Sequence, residues 1–155
     1  MREAQRPIAE RVSLLDRSPR AADRLAVKSR PSLTRRAEHL ERVRLAFEVG
    51  DRMVLIGRDD DDSLYVMFCD SSGGGACGSM RWVLREHGAI AQVSSNGQRV
   101  VVTGIVSDEV TAVRVGDVSA MLRNNAFMAD IGADDSPRVV LTTADGDREA
   151  GPSAL

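Results

Sequence analysis

Cys77 sits in the run Gly73-Gly74-Gly75-Ala76-Cys77-Gly78-Ser79, where a thiol follows a glycine loop and opens a stretch of helical spacing. A thiol at a helix N-terminus has a lowered pKa, because the partial positive charge there favours the thiolate that acts as nucleophile. Such a thiol also needs a base and an orienting group. The histidine that follows is His87, and ten helical residues would hold it roughly 15 Å away. Cys77 with His87 is therefore a candidate reactive thiol that lacks the rest of a catalytic set.

The same cysteine has two plainer uses. Cys69 and Cys77 are the only cysteines, and the glycine-rich loop between them is short enough to turn back on itself. Either they form a candidate disulfide, or they are two separate thiols. A metal site built from Cys69, Cys77, His87 and His39 would lack any close ligand pair of the kind zinc sites use. Asp59 to Asp62 form an acidic run, but a calcium loop beginning at Asp59 would need glycine and glutamate where Leu64 and Asp70 stand. Gly73 to Gly75 are followed by no Lys-Ser/Thr, so they read as a loop and not a phosphate cradle. The expectation is no cofactor and no metal.

Around these residues the apolar pattern is mostly of period two. Val43, Leu45, Phe47 and Val49 alternate with polar or small residues, as in a half-buried strand. Gly50-Asp51 then leads into the apolar run Met53 to Ile56, which completes a hairpin with glycine at the first turn position. Leu64 to Cys69 and Ala89 to Val93 read as further strands, and Ser95-Asn96-Gly97 as the turn into the stretch from Gln98 to Ile131. That stretch reads as an antiparallel meander, broken at Gly116-Asp117 and Asn124-Asn125, whose residue types tolerate positive φ. Arg138 to Thr143 reads as the last strand. Gly78 to His87 reads as a helix, because Met80, Val83 and Leu84 share a face and Gly88 follows.

The N-terminal part has a different period. Ile8, Val12 and Leu15 fall on one helical face after Pro7, and Ser18-Pro19 starts a second helix carrying Ala21, Ala22, Leu25 and Ala26 until Pro31. The expected fold class is mainly β, an antiparallel β-sandwich or barrel-like meander with an N-terminal helical extension. Residues 1–41 read as a basic helical extension, 42–144 as an antiparallel β domain able to stand on its own, and 145–155 as a disordered tail.

Charge divides the chain in the same way. Residues 1–50 carry 12 Lys/Arg and 7 Asp/Glu, whereas residues 51–155 carry 9 and 16. A basic arm of this kind could touch nucleic acid or an anionic membrane surface. Its arginines, however, alternate with acids and form no block, and aromatic residues for base stacking make up only 3% of the chain. The blander reading is an arm that balances an acidic domain. No stretch approaches the roughly 18 apolar residues of a membrane span, and the first residues contain no apolar signal core, so the chain reads as soluble and without a signal peptide.

Several stretches together resemble an uncharacterised family of small β-rich actinobacterial proteins. They are Leu14-Leu15 with Ala21-Ala22-Asp23-Arg24-Leu25, Gly73 to Gly78, Gly104-Ile105-Val106 with Val110-Thr111-Ala112-Val113, and Asn124-Asn125-Ala126-Phe127. The resemblance implies a β domain with a helical lead, in proteins often fused to an export or membrane segment, and no assigned activity. Here Asp108-Glu109 stands in place of the family's Asp-Gly, which implies a different turn before Val110. The functional expectation is a non-enzymatic protein-interaction or structural accessory domain. The alternatives are a small thiol enzyme using Cys77, or a basic arm that binds nucleic acid or an anionic membrane.

Overall fold

The alternation from Val43 onward produces strand β1 (Val43–Val49), which turns at Gly50-Asp51 into β2 (Arg52–Arg58). Gly50 has φ 61 and Gly116, in the equivalent Val-Gly-Asp turn, φ 58, the backbone region that side chains with a Cβ avoid. Both glycines therefore occupy the position expected of them. The computed structural model describes residues 12–28, 43–58, 64–69, 75–76, 80–84, 89–95, 99–132, 138–150 and 153–154.

Three antiparallel sheets result, with one short α-helix among the described residues and no closed barrel. The first sheet places β1 and β2 beside β3 (Leu64–Cys69) and β4 (Gly75–Ala76). The second has six strands. It contains β5 (Met80–Leu84), β6 (Ala89–Ser95), β7 (Arg99–Val106), β10 (Met121–Arg123), β11 (Ala126–Gly132) and β14 (Ser153–Ala154), in the order β10-β11-β7-β6-β5-β14. The third runs β13-β12-β8-β9, from β8 (Ala112–Val115), β9 (Val118–Ser119), β12 (Val139–Thr143) and β13 (Gly146–Ala150).

The second sheet is the middle layer, because its central strands are apolar on both faces. On one face Val101, Ile105, Ala126 and Met128 pack with Val54, Ile56, Val66 and Phe68 of the first sheet. On the other, Val102, Val106, Phe127, Ala129 and Ile131 pack with Val113, Val115, Val139 and Leu141 of the third. The far face of the first sheet is buried as well: Val43, Met53, Leu55, Met67 and Cys69 pack with Ala26 of the helix α1 (Ala21–Lys28). Burying several branched side chains at roughly 1.5–3 kcal/mol each makes these contacts the main stabilising term.

Four expectations need correction. The stretch from Gln98 to Ile131 is not a meander: β7 pairs with β6 and β11, whereas β8 leaves for the third sheet and pairs with β12. A turn at Ser107–Val110, closed by the Val110 N–H on the Ser107 carbonyl, makes the exit without any positive φ. Leaving β7 in the middle lets both of its apolar faces be covered. The segment read as a helix from Gly78 to His87 contains strand β5, paired with β6 from Met80↔Val93 to Leu84↔Ala89. Its spacing fits either period, and the β6 ladder decides.

The tail expected to be disordered from residue 145 instead forms β13, paired along its length with β12, and β14, paired with β5. A charged edge strand needs no burial when the backbone ladder holds it. The lead, finally, does not lie apart from the β domain. Val12 and Leu14 are buried within the core between the first two sheets, and Ala26 within the outer one. A 3₁₀ turn, Ser13–Asp16, orients this entry so that Leu14 is buried while Leu15 is only partly covered. Of the apolar residues expected on α1, Ala26 is buried whereas Ala21, Ala22 and Leu25 face outward, Leu25 being 69% exposed.

Candidate functional site

Most residues singled out for chemistry fall outside the described residues: Cys77, His87, His39, Asp59 to Asp62, Gly73 and Gly74. The thiol pairing of Cys77 with His87, and the bridge from Cys77 to Cys69, lie there too. Cys69 itself is fully buried at the end of β3, opposite Met53 and Gly75. Among the described residues no group of three or more His, Cys, Asp or Glu is placed to hold a metal ion.

A dense polar cluster lies where the lead meets the edge strand β1. Asp23 is the third residue of α1, and its carboxylate accepts the N–H of Arg20, which immediately precedes the helix, at 2.7 Å. This is half of a capping box, and it places negative charge at the positive end of the helix. The same carboxylate accepts from Nη1 and Nη2 of Arg17, at 2.7 and 2.9 Å, and from the N–H of Leu45 in β1 at 2.8 Å. Burial pushes the Asp23 pKa upward, but the Arg17 guanidinium and the N–H groups of Arg20 and Leu45 outweigh it and hold the carboxyl at about 2. Arg44 donates to the carbonyls of Arg17 and Val43, both at 3.0 Å. Arg17 of the basic lead and Arg44 of β1 are thus engaged inside the molecule.

A second clamp is built on the Asn124-Asn125 turn between β10 and β11. Both residues have positive φ, 51 and 67, which asparagine tolerates and a type I′ hairpin requires. Their side chains reach outward from the hairpin. Asn124 donates to the Ala46 carbonyl of β1 at 2.7 Å. Asn125 accepts the Leu14 N–H at 3.1 Å and donates to the Val106 carbonyl at 3.1 Å and to Asp108 at 2.8 Å. Asp108 accepts the N–H and hydroxyl of Ser13, at 3.1 and 2.8 Å, on the same oxygen.

Two clefts flank this turn, one of about 320 Å³ beside Arg17, Arg20 and Asp23, and one of about 260 Å³ beside Ser107, Asp108 and Arg123. An external anion entering the first would meet the Asp23 carboxylate, which already occupies the arginine fork and the helix N-terminus. In the second, the Ser107 hydroxyl has no hydrogen-bond partner among the described residues, but its oxygen is sealed from solvent and so from anything in the cleft. The geometry makes both clefts seams of a clamp. Sequence reasoning identified Asn124-Asn125 as a turn and missed its side chains' reach. The helix begins at Ala21 and not at the expected Ser18-Pro19 start, so the cap pairs Arg20 with Asp23 three residues on, and the acidic residue in the first turn is its one sequence signal.

A larger and more open feature lies where the three sheets meet. The tip of the β1–β2 hairpin, the edge strand β9 and the pair β10–β11 enclose a groove of about 560 Å³. Val49, Val118, Met121 and Met128 line it together with Ser119 and the charged Asp51, Arg52 and Asp130. Val49 is 36% exposed, one of two large hydrophobic residues so placed among the described residues. Arg52 stands at the rim, bonded to Asp130 at 2.5 Å and lying 5.8 Å from the centre of the Phe68 ring. Methionine side chains rearrange easily to fit an apolar partner.

Among the described residues, no helix is long and apolar enough to cross a membrane. The resemblance to β-rich actinobacterial proteins finds no support in the comparisons: the chain matches no family model, no curated protein and no solved structure.

Proposed function

We propose that this chain is a non-enzymatic interaction module, whose three-sheet core holds the groove at the junction of β1–β2, β9 and β10–β11 toward a protein partner. The observation that supports this reading is the exposure of Val49 in a groove that Met121 and Met128 also line. Apolar side chains left open beside an edge strand and rimmed by charged ones are suited to an extended or helical segment of a partner. The polar clefts support the reading less, because their carboxylates are engaged by the chain's own donors.

The test is site-specific photo-cross-linking in the cells that express the protein. A photoreactive residue at Ser119, in the groove lining, should yield a discrete cross-linked species, and one at the exposed Arg148 should not. Val49→Asp should reduce the Ser119 product severalfold without lowering the melting temperature appreciably. Equal products from both positions, or none from Ser119, would overturn the proposal.

A further inference from the structure

We draw no further inference here: the strongest candidate, the groove between the β1–β2 hairpin tip, β9 and β10–β11, belongs to the surface already proposed for a partner, and nothing in the structure shows what covers it.

Discussion

The Asp23 carboxylate accepts the backbone N–H of Leu45 at 2.8 Å, so a side chain of the N-terminal lead fills a hydrogen-bonding position on edge strand β1 where another strand would otherwise pair. Arg17 adds a long 3.5 Å bond to the Leu45 carbonyl, and Asn124 takes the carbonyl of Ala46, the residue bulged out of the β1–β2 ladder. An unsealed edge of this kind is a template for self-association. The lead closes it.

Acid should weaken this seal in a defined window. The folded-state pKa of Asp23, about 2, lies below its ordinary 3.8, so the unfolded chain takes up the proton first as pH falls. The stabilisation, on the order of 2 kcal/mol, is fully present above about pH 5 and is lost as pH falls through 4 toward 2. Asp23→Asn should cost about 3 kcal/mol at pH 7, by leaving Arg17 without its counter-charge, and should flatten this acid limb. Urea titrations of both proteins from pH 7 to 2.5 would decide it, and parallel curves would refute the assignment.

Thr103 should be improvable. It lies on β7 at 0% exposure, and its hydroxyl has no partner among the described residues. A buried, unpaired hydroxyl costs about 1–3 kcal/mol, whereas valine has nearly the same shape and no polar atom. Thr103→Val should therefore raise the urea midpoint by the equivalent of about 1 kcal/mol. A lower midpoint would mean that the hydroxyl is hydrogen-bonded in solution.

Two leucines of the lead should behave oppositely. Leu14 is 5% exposed and packed in the core between the first two sheets, so Leu14→Ala should destabilise by about 2–5 kcal/mol. Leu25, 69% exposed, should tolerate alanine within about 0.5 kcal/mol. Deleting residues 1–28 should likewise uncover apolar surface and give a protein that binds a hydrophobic dye. A truncated chain that melts like the full one and binds no dye would show the lead to be dispensable.

The hairpin glycines offer a purely local test. An added Cβ at Gly50 would meet no atom within 4 Å, so the cost of a larger residue there is backbone strain alone. Gly50→Val should lose about 1 kcal/mol or more, while Gly50→Asn, which tolerates φ near +60°, should lose less. Thermal melting of the two variants compares them directly. Equal losses would point to a side-chain contact instead of strain.

Local chemistry determined much of this protein from its sequence. Period-two alternation at Val43 to Val49 and the glycines and asparagines at 50, 116, 124 and 125 are short-range signals, because φ preferences and face alternation depend on a residue and its immediate neighbours. Mainly antiparallel β structure follows from them, and the helical spacing of Ala21, Ala22, Leu25 and Ala26 adds the helical lead. Tertiary structure decided which sheet each strand joined. Val100 to Val106 is apolar at most positions on both faces, and only the arrival of one sheet on each side makes β7 the middle of a stack. It also decided the ambiguous segments: β5 is a strand because β6 lies beside it, and the charged β13 is ordered because β12 has an edge to offer. The Asp23 clamp belongs to the same class. Its partners Arg17 and Arg20 are near in sequence, but the N–H that buries it in the fold lies 22 residues away on Leu45, brought close only when the lead settles on the sheet.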